Sequence, residues 1–588
     1  MVTLNPTSQV PSAAKLWPCW LGVGLDHCSA QAGAGKFLIA DLSRNRRISD
    51  SVEHFSAGVS YLASRRGPPL RTEQNKGQSM AAAKKKVAKK RTVTKTKMTS
   101  ELQAHVDAPG RDQLVKQVRK KIKELGISYI YYQFVSVTGR IVGKGVPADH
   151  WEQLASRGFQ LVYGSTANLF VDRHGDYIGY GPESSELVGI PDPETFVQLP
   201  WDKRVARVFC TLFRNREEAE NAGGALTSDS RGNLRRIHDE FKKKHNGLHM
   251  RHGTEPEMMW LKKGPDGKPD GGVTRPYCYH IDQFEELRPT FMKVIEYSHA
   301  MGLDMIQGDH EDAPGQLELN WMFDDCLRTA DRLTTYRQIC AQVGREQGLI
   351  ACFMAKPYMG VSASGCHHNM SLWRGGSDTK NSLHQNPLPG MDDVFTYQKG
   401  GDNTFMPDPN IDERKPGPIG LHCIGGVMKH LGALTALGSS TVNSYRRLWD
   451  TGFWAPVFAD WGYQNRTCAL RISAPGRFEY RSVDSMVNPY LMAGALLKAF
   501  DDGITNKIDP GEAEERNIYQ AMEAGKQVTK LPMSLGDALE RLSEDEVIKS
   551  ALPGDMYRVF NHYKTDEWER FMAEVTDWDT AEYMHCLP

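Results

Sequence analysis

The chain has 588 residues, 40% hydrophobic and 24% charged, with 72 Lys+Arg balanced by 72 Asp+Glu. This is the composition of an ordinary globular protein, and the neutral balance argues against a nucleic-acid binder or a polyacidic protein. No uncharged apolar run approaches the roughly 18 residues needed to span a bilayer. Eleven cysteines without a C-x-x-C pair predict reduced thiols in a cytoplasmic protein rather than a disulfide scaffold.

The neutrality is a cancellation. Residues 1–98 hold 17 Lys/Arg and 5 Asp/Glu, so the remainder is acidic. Lys84 to Lys97 contains eight basic residues in fourteen and no acid. Such a run suits a nucleic-acid or membrane-surface tail. Because residues 1–80 show no sustained period, 1–98 is read instead as a basic, disordered leader, with Met80 and Met98 as alternative starts. No basic segment precedes an apolar one, so no secretory signal is expected.

In the body, Leu114, Val115, Val118, Ile122 and Leu125 recur at helical spacing from Arg111 to Leu125, and Gly126 ends that helix. Ile127 to Val137 is β-branched and aromatic, and Thr138-Gly139 turns it into Arg140 to Val146, which predicts a hairpin. Strand-rich sequence from Phe159 to Phe213 completes a small mixed domain over about 112–213. Beyond it, strands such as Met258 to Leu261 alternate with helices at Phe291 to Met301 and Asp325 to Gln347. Residues 374–417, polar and rich in Gly and Pro, are expected to form a long loop, and Leu535 to Tyr583 is again helical.

Glu255 and Glu257 stand two apart in HGTEPEMMWL, so a strand places both on one face. The apolar MMWL suggests burial, and two same-side buried carboxylates require a cation between them. Glu311 and Glu318 bracket HEDAPGQLEL around the turn at Pro314-Gly315, and His367 follows a glycine turn in SASGCHHNMSL. Glu479 is framed by Arg477 and Arg481 in GRFEYRSVD, with Arg447, Arg466 and Arg471 nearby in sequence. Singly, each is weak: a lone His is more often a core residue, and an Arg/Glu cluster an ion pair. Together, hard oxygen ligands with one imidazole suit Mg²⁺ or Mn²⁺. Several guanidiniums suit a transferring phosphoryl group. The chain carries no P-loop and no kinase signature set.

GTEPEMMWL, GDHEDAPGQLELN, CFMAKPYMGVSASGCHHNMSL and NRTCALRI…GRFEYRSVDSMVNPYL resemble, in order, four motifs of the glutamine synthetase family. The resemblance covers about 112–588. It implies an α+β fold, with a β-grasp-like domain at 112–213 and a large catalytic α/β domain at 214–588. It also implies two or more Mg²⁺ or Mn²⁺ ions per site, one held by Glu257, Glu311 and Glu318 and another by Glu255, His367 and Glu479. Arg447 and Arg481 match glutamate-binding residues, and Arg466 matches the arginine facing the transferred phosphate. Asn369, Ser371, Arg471 and Arg477 fall at nucleotide-contacting positions, although Asn369 stands where a second His is usual. ATP is then a co-substrate that phosphorylates the γ-carboxylate before a nitrogen nucleophile displaces phosphate.

The departures set the expected substrate. Tyr163 stands where ammonia-using members carry an Asp, Trp454 stands where their flap carries a Glu, and Glu186 occupies another acidic position of the small domain. Aromatic rings in place of cation-attracting carboxylates predict an organic amine, aromatic ahead of alkyl, as in the branch that resembles γ-glutamylmethylamide and γ-glutamylanilide synthetases. Ammonia-using glutamine synthetase is the first alternative, and an inactive structural or regulatory member is the second. Ser362-Ala363 replaces the usual Asn-Gly, and Tyr519 resembles an adenylylation site but is read as a helix-end tyrosine. The family implies a homo-oligomer, commonly two stacked hexameric rings, with sites between subunits.

Overall fold

The computed structural model describes residues 100–588 apart from 169, 218–220, 381–395, 411, 450–454 and 586–588. The expectations for the 1–98 leader and for Trp454 lie outside the described residues. The predicted first helix of the body runs Arg111–Glu124 and buries Val115, Val118 and Ile122, with Gly126 at a φ of 66° just beyond. The predicted hairpin is β1 (Tyr129–Val135) and β2 (Ile141–Pro147), paired antiparallel around Gly139, whose φ of 82° suits only glycine comfortably. After β3 (Phe159–Leu161), β4 (Leu187–Pro191) and β5 (Val197–Leu199), the long β6 (Asp202–Phe213) lies parallel to β1. The resulting six-stranded sheet runs β2-β1-β6-β4-β3, with β5 on β6, and has its own core around Trp151, Tyr132 and Phe134.

The second sheet has eleven strands organised on β7 (His249–Lys263), far longer than the Met258 to Leu261 strand read from the sequence. Its neighbours are β8 (Pro269–Gly272), β10 (Gln316–Trp321), β11 (Asp324–Asp325), β12 (Leu349–Cys352) and β13 (Cys366–Arg374), and β9 (Met305–His310) pairs with β10. Next in the chain come β14 (Ser377–Lys380), β15 (Thr396–Lys399), β16 (Asp402–Asn403), β17 (Trp461–Tyr463), β18 (Leu470–Ala474) and β19 (Arg477–Tyr480). The main path is β17-β18-β19-β13-β7-β10-β9. Helices Ser230–Lys244 and Cys326–Gln347 pack on β7, and behind them Pro418–Gly438 packs along Pro489–Asn506 in the large apolar core.

One expectation is corrected. Within 374–417, β14 and β15 pair antiparallel with each other and β16 pairs with β13, so the described part is not a plain loop. The sequences SDTK and TYQK show no apolar alternation by which a strand is read.

Candidate functional site

The large sheet brings the acidic residues together by register. Glu255 and Glu257 share one face of β7, as period two requires. His367 on β13 lies opposite Glu255, and Glu318 on β10 lies opposite Glu257. Glu479 on β19 is opposite Asn369 on β13 and Arg471 on β18. Glu311 follows β9 directly, and its N–H donates to the Gln316 carbonyl at 2.9 Å across the turn.

Ligand atoms of Glu257, Glu311 and Glu318 lie within 4.8 Å of one another, and so do those of Glu255, Glu318 and His367. Glu318 therefore belongs to both groups. Glu479 approaches His367 Nδ1 at 3.4 Å, but its two oxygens are taken by Arg481 at 2.5 Å and Arg471 at 2.8 Å. Among the described residues, no Lys or Arg pairs with Glu311 or Glu318.

Electrostatics follows from that crowding. Burial first, and the neighbouring Glu257 next, push the Glu311 carboxyl up to about 8. Burial and Glu255 hold Glu318 well above the usual carboxylate range, and burial raises Glu257 as well. Burial, reinforced by Arg481, keeps His367 far below its ordinary value and hence neutral, the form that ligates a metal. Buried carboxylates converging without a cation fit one or two hard divalent ions, and such ions would reverse these shifts.

Some contributors were not singled out in the sequence. Gln316 Nε2 donates to Glu257 Oε2 at 3.2 Å, and Asn320 Nδ2 to Glu318 Oε1 at 2.7 Å. Both sit two residues from Glu318, so the strand period that pairs Glu255 with Glu257 points to them too. The Gly365 N–H donates to Glu257 Oε2 at 2.9 Å. A Cβ on Gly365 would lie 2.9 Å from His367 Nε2 and 3.1 Å from both Arg447 Nη2 and Glu257 Oε1. Asp309 lies opposite Glu318 on β9, and burial together with Glu255 lifts it to about 6.

Arg447 and Arg481 are buried, and Arg447 Nη2 donates to the Arg481 carbonyl at 3.1 Å. Arg466 is exposed. Glu255, Asn369, Ser371 and Arg477 line a pocket of 450 Å³ with Phe323 and Trp373, whose rings stack 6.2 Å apart. Asn369 Nδ2 donates to Glu255 Oε1 at 2.8 Å, so the pocket opens onto the acidic cluster. Arg471 is not among its lining residues.

Three further residues lie away from the cluster in the chain. Tyr163 opens a short 3₁₀ turn in the small domain and is buried against Tyr180 at 3.7 Å between ring centroids, with Arg214 over its ring at 5.7 Å. Glu186 is exposed. Tyr519 stands in the first turn of the short helix Ile518–Glu523, as expected of a helix-end residue.

Several known proteins are similar to this chain over most of its length. The pattern of the glutamine synthetase catalytic domain matches residues 227–583. The glutamine synthetase of Pyrococcus furiosus is 33% identical over 479 residues, spanning 78% of this chain and 96% of its own length. That of Rhizobium meliloti is 29% identical over 465 residues, spanning 78% and 96%. Among solved structures, apo GmaS and a GmaS/ADP complex, GmaS being a γ-glutamylmethylamide synthetase, superpose with TM-scores of 0.67 and 0.68. Both are 28% identical and cover 80% of this chain and 99% of their own. The expected α+β architecture is the one these structures share. With a domain pattern matching more than half its length and relatives spanning over three quarters of it, this chain belongs to the glutamine synthetase family of ATP-dependent carbon–nitrogen ligases.

Proposed function

We propose that this protein joins the γ-carboxylate of L-glutamate to an organic amine, aromatic ahead of alkyl, at the expense of ATP. Tyr163 carries the reading: an uncharged ring, closed off by Tyr180 and Arg214, stands where the family places an ammonium-attracting Asp. The structural likeness to GmaS supports it.

In this reading ATP occupies the pocket lined by Asn369, Ser371 and Arg477, its base beside Phe323 and Trp373. Arg471 also serves the nucleotide side, through Glu479. Glu255, Glu257, Glu311, Glu318, His367 and Glu479 are the residues that would hold Mg²⁺ or Mn²⁺, which neutralise the triphosphate and the charge developing on the transferred group. Arg447 and Arg481 hold glutamate, and Arg466 faces the phosphoryl group. The γ-carboxylate oxygen attacks the terminal phosphorus and ADP leaves. The amine nitrogen then attacks the acyl carbon, the carbon–oxygen bond to phosphate breaks with its electron pair going to phosphate, and the nitrogen releases a proton. Activation is required because an amine cannot displace oxide from a carboxylate. An arylamine arrives uncharged at neutral pH and needs no carboxylate to deprotonate it.

The second reading is ammonia-dependent glutamine synthetase, favoured by the names of the sequence relatives. ADP release with glutamate and ammonia, methylamine, isopropylamine or aniline separates the two. Fastest turnover on an organic amine supports the proposal, and fastest turnover on ammonia replaces it with the second reading. A homo-oligomer with the exposed Glu186 facing a neighbouring subunit's site, in cytoplasmic surroundings, completes the proposal. Light scattering of the purified protein reports the assembly.

A further inference from the structure

A second cavity, of 540 Å³, is lined by no residue of the acidic cluster or of the nucleotide pocket. Its volume falls in the range of about 300–1,000 Å³ that small-molecule sites occupy. One wall belongs to the small domain: the start of the helix Arg111–Glu124, the turn Pro193–Thr195, and Arg207 of β6. The other belongs to the helices Ser230–Lys244 and Cys326–Gln347, which pack on β7.

Most of the charge in these walls is already paired. Asp192 is shared by Arg231 at 2.9 Å and Arg235 at 2.6 Å, and Asp331 also takes Arg231. Asp378 takes Arg328 at 2.7 Å, Asp239 takes Lys242 at 2.6 Å, and Arg332 reaches Asp324 at 2.9 Å. Asp325 accepts from the Leu327 N–H and so caps the helix Cys326–Gln347. Arg111 and Arg207 differ. They are only 8% and 5% exposed, yet among the described residues neither pairs with a carboxylate. Arg111 Nη2 donates to the Pro191 carbonyl at 2.9 Å, while Arg207 donates to the Thr195 carbonyl at 2.8 Å and to Thr335 Oγ1 at 3.0 Å. These neutral acceptors leave both guanidiniums with further N–H groups to give, and with no charge to balance theirs. Burial lowers both, Arg207 to about 10. Buried guanidiniums are ordinarily paired. Two unpaired ones lining a single cavity mark the place of an anion that the chain does not supply.

The rest of the wall limits the kind of anion. Leu114, Phe196, Val197 and Met301 give the cavity an apolar side. Glu194 stands exposed in the same wall with no cation paired to it, so one negative charge suits the two guanidiniums better than two. The helix Arg111–Glu124 opens at Gly110 without a side-chain cap, which adds the positive end of its dipole to that wall. A monocarboxylate with an apolar body meets these conditions, and its planar oxygens match a guanidinium fork.

We propose that this cavity is a second ligand site, for a small organic acid whose carboxylate is held by Arg111 and Arg207 and whose apolar body lies against Leu114, Phe196 and Met301. Such a ligand joins the small domain to the two helices on β7 and stabilises their docking, whichever amine the catalytic site uses. Isothermal titration of the full-length protein with benzoate, acetate and inorganic phosphate tests this, the catalytic site being filled with Mg²⁺, ADP and glutamate. Expected is one benzoate per chain with a dissociation constant of about 1 mM or tighter, and acetate and phosphate at least about tenfold weaker. Arg111→Gln and Arg207→Gln should each weaken benzoate at least about tenfold. Leu114→Trp, which fills the apolar side and keeps both charges, should abolish binding. Benzoate should also raise the melting temperature of wild type and not of the variants. Arg207 braces the Thr195 turn as well, so melting without ligand checks each fold, and Arg111→Gln and Leu114→Trp carry the test where Arg207→Gln unfolds. No benzoate binding, or binding that the folded variants leave unchanged, overturns the site. Acetate or phosphate binding as tightly as benzoate overturns the organic-acid assignment.

Discussion

At the residue scale, the acidic cluster sets a tension between folding and binding. In the metal-free protein, Glu311 binds its proton up to about pH 8, far above its ordinary value near 4.5, because of burial and Glu257. A raised carboxyl pKa means the native state holds the proton more tightly than the unfolded chain, so stability falls as pH rises through that window. Glu311→Gln is therefore expected to raise the melting temperature in EDTA at pH 8 and to lower it relative to wild type in excess Mg²⁺. A scan that moves the same way in both conditions would exclude cation binding at Glu311. The second residue-scale prediction concerns Gly365. Its missing Cβ leaves room between His367, Arg447 and Glu257. Gly365→Ala should lower kcat/KM at least about tenfold by displacing those groups, with unfolding shifted by less than about 2 kcal/mol.

At the element scale, two contacts join elements that no local sequence pattern connects. Asn488 caps the helix Pro489–Asn506 by accepting from the Tyr490 and Leu491 N–H groups. Its amide also donates to the Ser136 and Val137 carbonyls, both at 3.2 Å, just before the small domain's hairpin turn. Asn488→Ala is expected to destabilise by about 1–2 kcal/mol, read from chemical unfolding. His430, on Pro418–Gly438, meets Asp545 at 2.6 Å and Asp502 at 3.0 Å. Burial works against charging it, but the hydrogen bonds its ring donates to Asp545 and Asp502 carry it above its ordinary value. A raised histidine pKa gives stability that is complete below about 6.5 and is lost as pH rises through the folded value. The difference in unfolding free energy between wild type and His430→Gln should shrink with rising pH, and a pH-independent difference would rule out the charged pair.

At the scale of the whole molecule, the small sheet and the catalytic sheet are joined by a buried ionic network. Arg231 reaches Asp192, beyond β4, and Asp331, on the helix Cys326–Gln347, at 2.9 Å each. The Tyr490 hydroxyl donates to Asp331 at 2.7 Å. Removing one member of such a network strands buried charge, so Arg231→Ala is expected to destabilise by about 3–5 kcal/mol. Arg231→Lys, which lacks the fork that spans both carboxylates, should recover only part of the loss in the same unfolding assay.

The legible part of this protein was local. A period of two placed Glu255 with Glu257, amphipathic spacing located Arg111–Glu124 and Cys326–Gln347, and contiguous motifs carried the family. The helices Pro418–Gly438 and Pro489–Asn506 escaped, because they are buried on most sides and show no polar face to set a period. The hairpin of β14 and β15 escaped because its residues alternate nothing apolar. Tertiary structure alone decided that Glu318 serves both acidic groups, that Arg471 rather than Arg477 joins Arg481 on Glu479, and that Tyr163 is shut inside the small domain. Each of these depends on register between strands or on packing against a distant residue. The chain's own periodicity fixes which face a side chain takes; which side chains meet across that face is fixed by pairing between segments far apart in sequence.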